Sequence, residues 1–179
     1  SSASLWHVGY PAALRELARG GLLRGLEATP LVRDGLGSID LSALARAAQR
    51  GIDAIAWNDP AYPALLTSIA DPPPVLWVRG SRAAFETPAV AIVGSRAASD
   101  YALAVADRLA ADLATSGVMV VSGLARGVDS AAHRAALSVG AETIAVLGSG
   151  VDVVYPAEHT ALAADIAADR KSTRLNSSH

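Results

Sequence analysis

The sequence predicts an α/β fold, a parallel sheet with crossover helices, preceded by a small helical module. Two observations carry this. Residues 90–169 repeat one pattern three times: an apolar strand, a turn with Gly and Ser, then a helix. Hydrophobic residues make up 51% of the chain but aromatics only 4%. The core must then be mostly Ala, Val, Leu and Ile, which suits helices packed closely on a parallel sheet.

Residues 1–50 are helical in pattern. Pro11 can open a helix, with Leu14 and Leu17 on one face, and Gly20-Gly21 ends it. Asp40 can cap a second helix from Leu41 to Arg50, stopped by Gly51. Residues 51–89 read as a connector broken by Tyr62-Pro63 and Pro72-Pro73-Pro74, with a short strand at Val75-Leu76-Trp77-Val78.

In residues 90–169, Val90 to Val93 is expected as a buried strand, followed by a helix from about Ser99 to Ser116. Val118 to Val121 is the next strand, with a helix from about Asp129 to Val139. Thr143 to Leu147 is the third, with a last helix from about Pro156 to Ala168. Segment 170–179 is polar and aperiodic and reads as a disordered or foreign tail.

Composition narrows the function. Cysteine is absent, which removes disulfides, Cys-based metal sites and a Cys nucleophile. No apolar run reaches transmembrane length, and Ser1 to Tyr10 lacks the regions of a signal peptide. A soluble cytoplasmic protein with no membrane partner is expected. The net charge is −2, and residues 90–169 hold four Arg, no Lys and nine acids. That balance opposes a broad nucleic-acid surface, so any such site must be local, made by a few positioned groups.

In a parallel sheet the strand carboxyl ends share one edge, where ligands bind. Here each such end carries Gly with Ser: Gly94-Ser95, Ser122-Gly123 and Gly148-Ser149-Gly150. Glycine admits a ligand close to the backbone, serine hydroxyls donate to phosphate oxygens, and helix amino ends favour anions. Arg96 and Arg126 stand in two of these loops. A phosphate-bearing ligand follows.

The pattern speaks against a dinucleotide. Gly94-Ser95-Arg96-Ala97-Ala98-Ser99 keeps only the first glycine of G-x-G-x-x-G, and the second strand ends in Ser122, not an acid. A Walker A lysine is missing, because the single Lys is Lys171. No cofactor and no metal site are expected. Asp129 and His133, one helical turn apart, have a spacing a hydrolase could use. The plainer expectation is that Asp129 caps its helix and His133 faces solvent or packs locally. Ser122 lacks the G-x-S-x-G of a nucleophile elbow. His159 is expected in a surface or cap role.

Three motifs in order resemble the DprA/Smf family. They are Val90-Ala91-Ile92-Val93-Gly94-Ser95-Arg96 with Ser99 and Tyr101; Ser122-Gly123-Leu124-Ala125-Arg126-Gly127-Val128-Asp129 with Ala132-His133; and Thr143 to Asp152 with Tyr155-Pro156. Tyr62-Pro63, Leu65, Asp71-Pro72-Pro73, Leu76 and Gly80 match the entry into the same domain, so the resemblance runs from about Gly51 to Asp169. It implies a Rossmann-like domain that binds single-stranded DNA, protects incoming strands in natural transformation and loads RecA recombinase. It also implies a homodimer and no catalytic activity. In residues 1–50 it implies a module like a sterile alpha motif or helix-hairpin-helix.

By the same resemblance, Gly94, Ser95, Arg96 and Ser99, with Ser122, Gly123, Arg126 and Gly127, line a DNA pocket; Gly148, Ser149 and Gly150 join them as the third loop. Tyr101 and Tyr155 are the candidates for base stacking, and either could equally be core. The chain departs from the family pattern at Ala102, in place of Gly, and at Ala157-Glu158-His159, which has no Lys or Arg. It also stops short of the family's full domain. The competing expectation is a Rossmann-like nucleotide or phosphoribosyl hydrolase using Arg96, Ser122 and Asp129.

Overall fold

The computed structural model describes residues 4–8, 41–56, 59–70, 72–73, 75–80 and 82–168. Strand β1 is Ser4–Val8, helix α1 Leu41–Gln49, β2 Ile52–Ala56, and α2 Ala64–Thr67. β3 is Val75–Gly80, followed by a 3-10 turn at Arg82–Glu86, and β4 is Ala89–Ala91. α3 Asp100–Thr115, β5 Met119–Ser122, α4 Val128–Ser138 and β6 Thr143–Leu147 follow. A 3-10 turn at Ala157–His159 leads into α5, Thr160–Ala167.

The strands among the described residues form one six-stranded sheet, in the order β2-β3-β1-β6-β5-β4. β4, β5, β6 and β1 run parallel, and β3 is antiparallel to both of its neighbours. The three strand-turn-helix units expected in residues 90–169 are present, and the crossover helices give the Rossmann-like arrangement.

The sheet extends beyond those units. β2 and β3, from the expected connector, pair in the same sheet, and Ser4–Val8, placed by pattern in a helical module, is a strand beside β6. The helix expected from Leu41 is present as α1; the one opened by Pro11, and the tail 170–179, lie outside the described residues.

The first unit differs from expectation in one respect. Val90 was expected in a buried strand, yet all three residues of β4 are exposed. β4 is the last strand of the order, so a neighbour covers only one side. Ile92 continues the pairing, its N–H donating to Val121 O at 2.9 Å, and its side chain is buried.

Alternation along β5 and β6 sends side chains to two faces. Val120 packs with Ile92 against α3 and α4. Ala145 and Leu147 pack against Leu162, Ala163 and Ile166 of α5. On the opposite face, Met119 and Ile144 meet Ala84, with Val121 and Val146 beside them. The α3–α4 seam is made of alanine, with Ala106, Ala110 and Ala114 facing Ala132, Ala135 and Ala136. A methyl group is short enough to let the two backbones approach closely. Ser99 caps α3, its hydroxyl oxygen accepting from Ala102 N at 3.3 Å. No helix among the described residues is long and apolar enough to cross a membrane.

Candidate functional site

Parallel strands β4, β5 and β6 deliver their three following turns to one edge of the sheet. There Arg96 from the first turn, Gly123, Ala125 and Arg126 from the second, and Leu147, Gly148 and Ser149 from the third line one cavity of about 270 Å³. Tyr155 and Pro156 complete its wall. The two arginines that pattern singled out therefore share a groove. Tyr155 is 67% exposed and Tyr101 is 80% exposed, so neither is core, and only Tyr155 borders the cavity.

The turns are locked to one another by the backbone. Val128 N donates to Ser95 O at 3.3 Å, which ties the start of α4 to the first turn. Gly127 makes this contact possible. Its φ is +76°, and a Cβ there would strike the Ser95 carbonyl and the Arg96 backbone. Gly94 serves packing too: a Cβ would meet the Val128 side chain at 2.7 Å. Gly148 has nothing within 4 Å of its Cβ position and is the open point of the cavity wall.

The expected serines divide by the direction of their hydrogen bonds. Ser122 is buried and its hydroxyl donates to Ile92 O at 2.6 Å, so it joins β5 to the end of β4 and does not face the cavity. Ser149 donates to Val153 O at 2.7 Å and folds its own loop. Ser95 and Ser99 instead accept from Ala97 N and Ala102 N. A hydroxyl that accepts still has its proton to donate. These two exposed serines, unlike Ser122, keep their proton for another acceptor, but neither lines the cavity. Gly150 lies away from this cavity and lines a second one.

Arg126 is held from the side. Its Nε donates to Glu158 Oε1 at 2.6 Å and its Nη2 to Oε2 at 2.7 Å. This two-pronged contact raises the Arg126 pKa and lowers that of Glu158, in each case chiefly through the hydrogen bond. Both side chains are more than half exposed, so the pair adds little stability. Sequence reasoning missed it, because Glu158 stands 32 residues downstream, beyond α4, β6 and a long loop.

Asp129 and His133 are both buried: Asp129 is not the expected cap, and of the two expectations for His133 it packs locally and does not face solvent. α4 begins at Gly127 without a side-chain cap. The Asp129 carboxylate instead accepts from Gly123 N at 3.2 Å and steadies the second turn from behind. Thr143 Oγ1 donates to Val120 O at 2.6 Å, so it must accept from His133 Nδ1–H at 2.8 Å. Burial pushes the His133 pKa down to about 4 and keeps the ring neutral. Asp129 Oδ1 and His133 Nε2 have no hydrogen-bond partner among the described residues.

His159, expected at the surface or as a cap, is also buried, its Nδ1 2.8 Å from Leu124 O. The helix turn before α5 carries it under the second loop. Among the described residues no group of three or more His, Cys, Asp or Glu could hold a metal ion.

Comparison with known proteins gives this edge a context. The family model for DNA recombination-mediator protein A matches residues 53–173. Protein Smf of Synechocystis is 41% identical over 116 residues, 63% of this chain and 29% of that protein. The DNA processing protein DprA of Streptococcus pneumoniae is 44% identical over 98 residues, 55% of this chain and 34% of that protein. The chain thus spans about a third of the curated relatives it matches. The solved structure of DprA from Streptococcus pneumoniae covers 87% of this chain, and 53% of its own, with a TM-score of 0.68 and 34% identity. A structure of DNA processing protein A from Helicobacter pylori, described for its single-stranded DNA binding mode, has a TM-score of 0.56 and 31% identity. It covers 65% of this chain and 51% of its own.

Proposed function

Because this chain belongs to the DNA recombination-mediator protein A family, matched over residues 53–173, we propose that its sheet edge binds single-stranded DNA. The observation that carries the reading is the meeting of Arg96 and Arg126 in one cavity with Tyr155 on its wall. Two guanidinium groups suit consecutive phosphates, and an exposed phenol ring offers a base a stacking face. Such contacts hold the backbone without reading sequence, as a mediator of recombination requires. The single-stranded DNA binding described for the Helicobacter pylori protein supports the same reading.

In the whole protein, this grip would protect an incoming strand in the cytoplasm and present it to RecA recombinase, with two copies acting as a homodimer. The site is one of binding rather than catalysis. Ser122 and Asp129, which the competing hydrolase reading would use, are buried and do not line the cavity.

The test is oligo-dT affinity measured against salt. The affinity should fall steeply as salt rises, and Arg96→Ala should weaken binding and reduce the salt slope by about one. Salt-independent binding of a mononucleotide with hydrolysis, and none of oligonucleotide, would instead establish the enzyme.

A further inference from the structure

Beyond the first cavity, at the same edge of the sheet, lies a second one of about 260 Å³. Strand register gives its position. Leu147 of β6, on the wall of the first cavity, and Trp77 of β3, on the wall of the second, both pair with His7 of β1 between them. Two strand spacings separate these walls, about 10 Å. The loop leaving β6 connects the cavities, with Gly148 and Ser149 on the first and Gly150 and Asp152 on the second.

The second cavity has what a nucleotide needs. Trp77 is half-buried: it packs against the core cluster of Leu147, Val151 and Ile166, and also borders the cavity. An indole offers a large π-face, on which any base can stack. Helix α1 supplies Arg46, and the turn that ends it supplies Arg50; both are on the cavity wall. Arg50 donates to Asp152 at 2.8 Å, and both side chains are substantially exposed. An exposed pair of this kind is weak, so a phosphate can take the place of the carboxylate.

We infer that the second cavity is a further nucleotide subsite on the same strand. One base stacks on Trp77 and its phosphate meets Arg46 and Arg50. The DNA then runs along the sheet edge from Arg96 and Arg126, past the β6 loop, to α1. The inference rests on the reading of the first cavity as a single-stranded DNA site. It assigns that strand a second station, and gives α1 a part in binding.

The experiment compares short and long oligo-dT, about 4 and about 12 nucleotides, on the 179-residue chain. Trp77→Ala should lower affinity for the long oligonucleotide about tenfold and leave the short one unchanged, with Trp77→Phe restoring most of the loss. Arg50→Gln, at an exposed turn position just after α1, should weaken long-oligonucleotide binding and lower its salt slope by about one. Because it removes nothing from the core, it decides the matter if Trp77→Ala fails to fold.

Unchanged long-oligonucleotide affinity in Arg50→Gln and in every folded Trp77 variant, with Arg96→Ala weak on both lengths, overturns the subsite and leaves the first cavity's role standing. Losses in Arg50→Gln with none in Arg96→Ala overturn that role, and with it the path of one strand through both cavities. No binding of either length by the unsubstituted chain overturns both.

Discussion

Arg126 and Glu158 grip each other through two parallel hydrogen bonds, 2.6 and 2.7 Å long, at the side of the cavity that Arg126 shares with Arg96. The carboxylate offers the guanidinium the same pair of oxygens that a phosphate would. A strand entering the cavity must therefore displace Glu158 to reach Arg126. Glu158→Gln should raise oligo-dT affinity by about threefold at low salt, because an exposed pair resists exchange only weakly. Anisotropy titrations of both proteins in one buffer check this, and equal affinities would show that Arg126 does not meet the strand.

Gly127 and Gly148 should respond differently to alanine. At Gly127 the added carbon meets backbone from Ser95 and Arg96 in a left-handed conformation. Gly127→Ala should cost about 2 kcal/mol or more, and a melting scan should fall by several degrees. At Gly148 nothing lies within 4 Å, so Gly148→Ala should leave the melting temperature in place. Any effect of that second change should appear in DNA affinity alone.

Ser122 gives a further separation of folding from binding. Its buried hydroxyl donates to Ile92 O and lies off the cavity. Ser122→Ala should lose about 1 kcal/mol of stability in urea and keep its oligo-dT affinity. A large fall in affinity at unchanged stability would return this hydroxyl to the binding surface.

His133 makes the fold acid-sensitive, with a sign that follows from burial. Its pKa is pushed from 6.5 to about 4 in the folded chain. The unfolded chain therefore takes up a proton first as pH falls, and stability is lost between those two values. It is fully present above about pH 6.5. From pH 7 to pH 5 the loss should be about 2 kcal/mol. Urea unfolding at the two pH values measures it, and His133→Gln should remove this part of the pH dependence.

The parallel units were legible because their strands are short apolar runs punctuated by glycine and followed by helical periodicity. β2 was not. Ile52 and Ile55 are both buried, yet they belong to different clusters on opposite sides of the sheet. A strand covered on both faces shows no alternation, so Ile52–Ala56 carried no period-two signal.

The cavity was legible in outline, through Arg96, Gly123, Arg126, Gly148 and Ser149, because topology alone brings those turns together. The use of each hydroxyl was not. Whether Ser122 faces ligand or backbone depends on strand register, and the Arg126–Glu158 contact depends on where a long loop returns.

The alanine seam between α3 and α4 has a mechanical consequence. Each helix starts just after a turn that lines the cavity, so the distance between the helices sets the span between Arg96 and Arg126. Methyl groups meeting methyl groups leave that span almost no play. The seam thus works as a fixed gauge, setting the width of the proposed jaw in advance of any ligand. A single valine at Ala110, which has no exposed surface, would open the jaw as a wedge opens a vice.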